Sequence, residues 1–183
     1  MIFTPTPLTG AFVITPDLIE DERGFFARTF CRREFEEHGL NPNLVQCNIS
    51  FNKTKGTLRG MHYQAAPHAE VKLVRCSAGS IYDVIIDLRM DSSTFKQWFA
   101  VELSADNRKL LYIPEGFAHG FQTRTDNTEV IYHHSAFYNP ESARGLKFDD
   151  PAIGIIWPLP VSMISPRDQS YPLIDKHFKG IEV

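Results

Sequence analysis

The chain has 183 residues, 43% of them hydrophobic and 22% charged, with a net charge of −3 and a pI near 6.1. That size and balance fit one globular domain, exclude a disordered chain, and offer no apolar run near the ~18 residues of a membrane span. The slight acidic excess argues against nucleic acid as a partner, so any anionic ligand must be met by a local cluster of basic side chains. A chain of this length buries roughly 70% of its unfolded surface and needs no disulfide or metal staple to fold. Cys31, Cys47 and Cys76 are far apart and odd in number. With no C-x-x-C pair, they read as free thiols in a reducing compartment. Met1-Ile2-Phe3-Thr4-Pro5-Thr6-Pro7 lacks the basic and apolar regions of a secretory signal, so the expected location is cytoplasmic.

In chain order, short runs rich in β-branched and aromatic residues recur between turn signals. The strands expected lie near 11–14, 24–30, 44–50, 57–64, 71–76, 80–88, 97–104, 109–113, 119–123 and 128–138. The one clear helix, Arg32-Arg33-Glu34-Phe35-Glu36-Glu37-His38, stops at Gly39, a natural left-handed cap. About ten strands at this spacing predict an antiparallel sandwich or small barrel. Past Pro140 the composition changes, with Pro151, Pro158, Pro160, Pro166 and Pro172 punctuating a tail of loops and short helices. No repeat or linker divides the chain, so residues 1–183 read as a single domain with an irregular tail from about 140.

Dinucleotide, P-loop and serine-hydrolase fingerprints are missing. Polar residues instead gather inside expected strands: Arg59, His62, Gln64, Lys72, Arg75, Asp83, His119, Tyr132 and His134. Buried polar groups cost free energy unless paired, so a barrel lined with them is expected to surround a ligand. His62 is either bonded to a core carbonyl or a general base oriented by a carboxylate. Tyr132 is either core filling with a satisfied hydroxyl or part of the site. Lys72 either snorkels at a strand edge or is buried beside an acid, with Asp83 on the next strand as the candidate. On a regular pleat Tyr132, His134 and Tyr138 share a face, as do His62 and Gln64. Arg59 has the wrong parity to join His62 unless Gly60 marks a bulge.

Two spacings resemble the cupin motifs. Gly56 and five further residues precede His62-Tyr63-Gln64, with Gln64 in place of a second histidine, and Pro114-Glu115-Gly116-Phe117-Ala118-His119 matches P-x-G-x-x-H. Two matching histidines do not assemble a three-histidine metal site, so a barrel without a metal is the preferred reading.

Longer motifs then carry a more specific resemblance. They are Asp21-Glu22-Arg23-Gly24-Phe25-Phe26, Gly56-Thr57-Leu58-Arg59-Gly60-Met61-His62-Tyr63-Gln64, Lys72-Leu73-Val74-Arg75-Cys76 and Ile113-Pro114-Glu115-Gly116-Phe117-Ala118-His119-Gly120-Phe121. Collinear from about residue 8 to residue 172, the chain resembles the dTDP-4-dehydrorhamnose 3,5-epimerase family. The resemblance implies an all-β, cupin-like jelly-roll barrel with a few short helices, working as a homodimer without metal or nicotinamide cofactor. Its substrate would be a nucleoside-diphosphate 4-keto-6-deoxy sugar. By the same resemblance His62 is the base that removes the C3 and C5 protons, and Asp168 is the carboxylate paired with it. Lys72 stabilises the enolate oxygen, and Tyr132 reprotonates carbon from the opposite face. Arg59, with Arg23, His119 and Arg167, would hold the pyrophosphate; Gln46 and Asn48 match positions that contact the nucleotide, and Tyr138 would stack on the base.

Three departures bear on recognition. Arg28 stands where many members carry the glutamate of Phe-Phe-x-Glu, and Ala143 ends Pro140-Glu141-Ser142-Ala143 where a second glutamate is common. Arg167 replaces a lysine before Asp168. Arg28 and Ala143 motivate an alternative, an epimerase of one carbon only or of a GDP- or CDP-linked 4-keto sugar. A metal-dependent cupin enzyme using His62, His119 and Glu70, and a non-catalytic sugar-nucleotide binder, are the other readings of the barrel.

Overall fold

The computed structural model describes residues 1–183. In chain order its elements begin with strands β1 (Ile2–Pro5), β2 (Phe12–Thr15), β3 (Leu18–Asp21) and β4 (Gly24–Ala27), then helix α1 (Arg32–Glu37). Strands β5 (Gln46–Asn52), β6 (Thr57–Gln64), β7 (Lys72–Ala78), β8 (Ser80–Asp87) and β9 (Trp98–Ser104) follow. The chain continues through β10 (Leu110–Ile113), β11 (Phe117–Thr123), β12 (Thr128–His134), β13 (Ala143–Gly145) and β14 (Met163–Ile164) to helix α2 (Pro166–Gln169).

Two six-stranded sheets face each other, in the jelly-roll arrangement that the family resemblance implied. One runs β1-β2-β10-β7-β12-β5; the other runs β13-β6-β11-β8-β9, with β14 laid parallel on β6. Val74, Cys76, Leu111 and Val130 from the first sheet meet Ile81, Ile85, Leu103 and Phe121 from the second in one buried cluster. Alternation does the sorting: residues 72, 74 and 76 of β7 point inward together, as do 130, 132 and 134 of β12. Aliphatic side chains fill one stretch of this interior, and polar ones line the rest.

Each outer face has its own cover. Helix α1 buries Phe35 completely against Ile14, Leu73, Leu110 and Tyr112, a contact that contributes about 1.5–3 kcal/mol. It ends as its sequence implies, with Gly39 at φ +69°, a left-handed conformation costly for any residue with a Cβ. The proline-rich C-terminal stretch is better packed than its composition implied. Leu146, Trp157, Ile174 and Phe178 lie over Met61, Val84, Ile86 and Leu88 on the outer face of the second sheet.

The expected strands are present, with shifted ends: the run expected at 24–30 stops at Ala27, and that at 128–138 stops at His134. Strands β1, β3, β13 and β14 lie outside the expected set. The first two are four-residue pieces, one ending in Pro5 and one on the surface, and pairing rather than local pattern makes all four strands. The β3–β4 pair forms a separate two-stranded hairpin.

Candidate active site

A cavity of about 310 Å³ opens between the sheets, within the size range of small-molecule sites. Asn48 and Ser50 of β5, Lys72 of β7, and Tyr132 and His134 of β12 line it from the first sheet. Arg59 and His62 of β6 and His119 of β11 line it from the second. Tyr138 and Arg167 close it from loop and helix.

The parity conflict between Arg59 and His62 is resolved by a bulge. Across the β6–β11 ladder His62 pairs with His119 and Arg59 with Phe121, so β6 spends one residue more than its partner. Gly60 sits there at φ +122°, and a Cβ on it would lie 2.5 Å from Gly120 Cα. The irregular step turns both Arg59 and His62 into the cavity.

His62 Nε2 lies 2.8 Å from Asp168 Oδ1, joining residues 106 positions apart. The tail makes this possible. Strand β14 runs along β6, and the chain then enters α2, where Ser165 caps the helix by accepting from Asp168 N at 3.0 Å. Asp168 is 4% exposed, and its second oxygen accepts from Gly60 N at 3.2 Å. Burial alone would raise its pKa, but the hydrogen bond and charge of His62, with Gly60 N–H, hold it below the usual carboxylate range. With Nε2 held by the carboxylate, Nδ1 is the ring nitrogen left to take a proton. The His62 side chain remains 42% exposed, edged by the Tyr171 ring at 5.8 Å.

Lys72 is buried, but Asp83 is not its partner. Its Nζ reaches Glu70 Oε1 at 3.3 Å and donates to His62 O at 3.2 Å. Asp83 instead holds His119, Oδ1 to Nε2 at 2.7 Å, with Asp83 fully buried. The expectation failed because the sheet order, not chain order, sets neighbours: β7 and β8 follow one another but lie in opposite sheets. Tyr132 packs edge-on against His119 at 6.0 Å. Burial and the Asp83 charge push its hydroxyl well above the ordinary tyrosine value, so it stays protonated.

Gln64, at the place of a second cupin histidine, is fully engaged in structure. Its amide donates to the carbonyls of His68 and Phe137 and accepts from Asn139 N. No three His, Cys, Asp or Glu side chains converge as metal ligands. The trio His62, His119 and Glu70 is divided among other partners: Asp168, Asp83, and the pair His134 and Lys72.

Of the remaining expected residues, Arg59 is fixed by Asn52 Oδ1 at 2.7 Å. Arg167 stands over the Tyr171 ring at 5.9 Å, and the Tyr138 hydroxyl raises its pKa further. Gln46 does not itself line the cavity but is bonded to two residues that do, donating to Asn48 Oδ1 at 3.3 Å and accepting from Tyr138 N at 3.1 Å. Tyr138 lines the cavity from beyond the end of β12, so it arrives by the loop and not by strand alternation. Arg23 and Arg28 do not reach the cavity of their own chain. Arg23 is paired with Asp21 and Arg28 with Glu34, on and just beyond the β3–β4 hairpin. Ser50, Arg144 and Tyr171 contribute to the site although the motifs do not mark them, and Glu70, named only as a ligand in the metal-dependent alternative, serves instead to hold Lys72 and His134. Only Ser50 left a signal, sharing the parity of Gln46 and Asn48 on β5.

Comparison with known proteins identifies relatives of the whole chain. The family model described as dTDP-4-dehydrorhamnose 3,5-epimerase matches residues 5–176. The dTDP-4-dehydrorhamnose 3,5-epimerase of Salmonella typhimurium is 42% identical over 178 residues, 96% of this chain and 97% of that protein. The crystal structure of the enzyme of that name from Elizabethkingia anophelis superposes with a TM-score of 0.93 at 40% identity, covering 97% of this chain and 98% of that one. The dTDP-6-deoxy-D-glucose-3,5-epimerase of Legionella pneumophila, in complex with dTDP-4-keto-L-rhamnose, gives a TM-score of 0.90 at 37% identity, covering 100% and 98%. A family match spanning residues 5–176, and relatives about 40% identical along nearly the whole chain, show that the chain belongs to the dTDP-4-dehydrorhamnose 3,5-epimerase family of carbohydrate isomerases.

Proposed function

We propose that this protein inverts C3 and C5 of dTDP-4-keto-6-deoxyglucose by proton abstraction and reprotonation beside the C4 ketone. The observation that supports the reading is that His62 and Tyr132 line one cavity from opposite sheets, so a sugar ring bound there would have the proposed base on one side and the proposed acid on the other. His62 Nδ1 takes the proton from carbon, and Asp168 stabilises the imidazolium formed. The electron pair moves into the C4 carbonyl, and the Lys72 ammonium offsets the charge on the enolate oxygen. Tyr132, kept protonated by burial and by Asp83, returns a proton from the other side of the ring, which inverts the centre. Arg59, Arg167 and His119 hold the pyrophosphate, Gln46 and Asn48 contact the nucleotide, and Tyr138 stacks on its base.

Arg23 and Arg28 fit this scheme only through a second copy of the chain, as a homodimer in the cytoplasm. Ile19, Phe25 and Phe26 on the hairpin are 68%, 48% and 71% exposed, and Ile49 and Phe51 on the edge strand β5 are 63% and 52% exposed. Apolar surface of that density at a free sheet edge supports burial against a partner. Each hairpin would then carry Arg23 and Arg28 to the neighbouring cavity. The residues 1–183 would act as one domain, whose tail supplies Asp168.

NMR of dTDP-4-keto-6-deoxyglucose in D2O with the protein tests the reading. Deuterium at both C3 and C5 with formation of the doubly inverted product is expected. Label at one carbon only would make it a single-centre epimerase, and absence of label would refute the dTDP substrate. With Tyr132→Phe, exchange should persist while inverted product is lost; equal loss of both would reduce Tyr132 to a positional role.

A further inference from the structure

A chain of hydrogen bonds crosses the cavity wall and takes no part in the proton transfers. Tyr138 N donates to Gln46 Oε1, and Gln46 Nε2 donates to Asn48 Oδ1. Asn48 Nδ2 lies 3.3 Å from His134 Nε2, and His134 Nδ1 lies 2.8 Å from Glu70 Oε2. Glu70 Oε1 then holds Lys72 Nζ, which donates onward to the backbone carbonyl of His62. An amide nitrogen can only donate, so His134 Nε2 must accept and the ring proton sits on Nδ1, facing the carboxylate. Every bond from the rim to Glu70 therefore runs in one direction, towards the carboxylate that holds the lysine.

We propose that Glu70 and His134 are positioning residues that tie nucleotide recognition at Gln46 and Asn48 to the placement of Lys72. The inference rests on the proposed roles of Lys72, Gln46 and Asn48 in the epimerase reaction.

The physical need is clear from the lysine itself. A flexible side chain with roughly 2 kcal/mol of rotamer entropy must present its ammonium at one point when charge develops. Lys72 is 8% exposed and has two fixed partners, one of them Glu70. Glu70 can steer only if it is itself held, and the bond from His134 holds its other oxygen. Its surroundings keep it ionised: burial favours the neutral acid, but the His134 hydrogen bond and the Lys72 charge prevail and lower its pKa. His134 in turn is 12% exposed and stacked on Tyr132 at 6.1 Å and 21°. Its remaining freedom is removed by Asn48. A nucleotide that engages the Asn48 amide thus fixes the far end of the chain, and truncated ligands leave Lys72 less well placed.

The test is a double-mutant cycle on the full-length protein with dTDP-4-keto-6-deoxyglucose, reading kcat and KM separately. Glu70→Gln and His134→Phe should each lower kcat about tenfold to a hundredfold with KM within about threefold, the scale of losing a residue that orients a catalytic group. His134→Gln, which keeps one donor and one acceptor, should recover kcat to within about threefold of wild type. Asn48→Ala should raise KM and also lower kcat, and the kcat effect should vanish in the Glu70→Gln background, although the two side chains do not touch. Additive kcat losses, or a change in KM alone for His134→Phe, would overturn the connection. Should Glu70→Gln not fold, the His134→Phe and His134→Gln pair decides by the same kcat criterion. An inactive wild-type protein would overturn the epimerase reading and this inference together, whereas active wild type with additive variants overturns the inference alone.

Discussion

The cavity contains two histidine–aspartate pairs on adjacent strands, His62 directly across the ladder from His119, and they are built for different ends. His119 and Asp83 come from β11 and β8, neighbours in one sheet, and are sealed at 5% and 0% side-chain exposure. His62 and Asp168 come from a strand and a distant helix, and the histidine is 42% exposed. A sealed pair can orient its surroundings, including the Tyr132 ring, but exchanges protons poorly with a ligand. An open imidazole backed by a buried carboxylate can accept one, because its charged form is stabilised from behind while its free nitrogen faces the cavity. Residue type is the same in both pairs; access separates a dyad that can only hold and orient a ligand from the one proposed to take its proton.

That contrast can be broken at several points. His62→Ala should reduce exchange at both C3 and C5 by about 10²–10⁴-fold, the usual worth of a general base, with a smaller loss of stability than His119→Leu, because Asp168 keeps its bond from Gly60 N. NMR exchange and thermal unfolding together check it, and retained turnover would remove His62 from the base role. His119→Leu should show the reverse emphasis. It leaves Asp83 buried and unpaired, a fault that costs about 3–5 kcal/mol, measurable by denaturant unfolding. A stability loss no greater than that of His62→Ala would erase the distinction between the pairs.

Asp168→Asn should lower kcat by about tenfold to a hundredfold while leaving substrate binding intact. Its pH signature follows from the lowered pKa of Asp168. The stabilisation from the ionised carboxylate is complete above its ordinary value of 3.8 and is lost as pH falls through the lower folded value. The stability gap between wild type and Asp168→Asn should therefore shrink on acidification below that range, and a gap independent of pH would mean the His62 contact adds nothing to folding. The smallest effect is expected from Ser165→Ala, which removes the cap of α2 at a cost of about 1 kcal/mol. It should loosen Asp168, lowering kcat modestly with KM unchanged.

Much of the molecule is legible from residue order. Alternation along β12 sets which side chains face inward, so Tyr132 and His134 group on one face by parity alone. The Gly39 stop of α1 and the glycine bulge that reconciles Arg59 with His62 are equally local, since each depends on a few adjacent residues and a backbone angle. The motif around His62 carries the family resemblance and with it the roles proposed for Asp168 and Tyr132.

Partnership is another matter. The sequence places Asp83 one strand after Lys72, yet the sheet order sends it to His119 and leaves Lys72 to Glu70, a residue that the motifs mark only as a possible metal ligand. The Glu70–His134 bond spans 64 positions and the Asp168–His62 bond 106. The exposed arginines Arg23 and Arg28 likewise lie outside the cavity that their motif implied. Local sequence determines conformation and the face a side chain occupies, because those follow from short-range sterics and burial. Which two charged groups end up within hydrogen-bonding distance is decided by strand order across two sheets and by the path of the tail, and only the tertiary structure sets those.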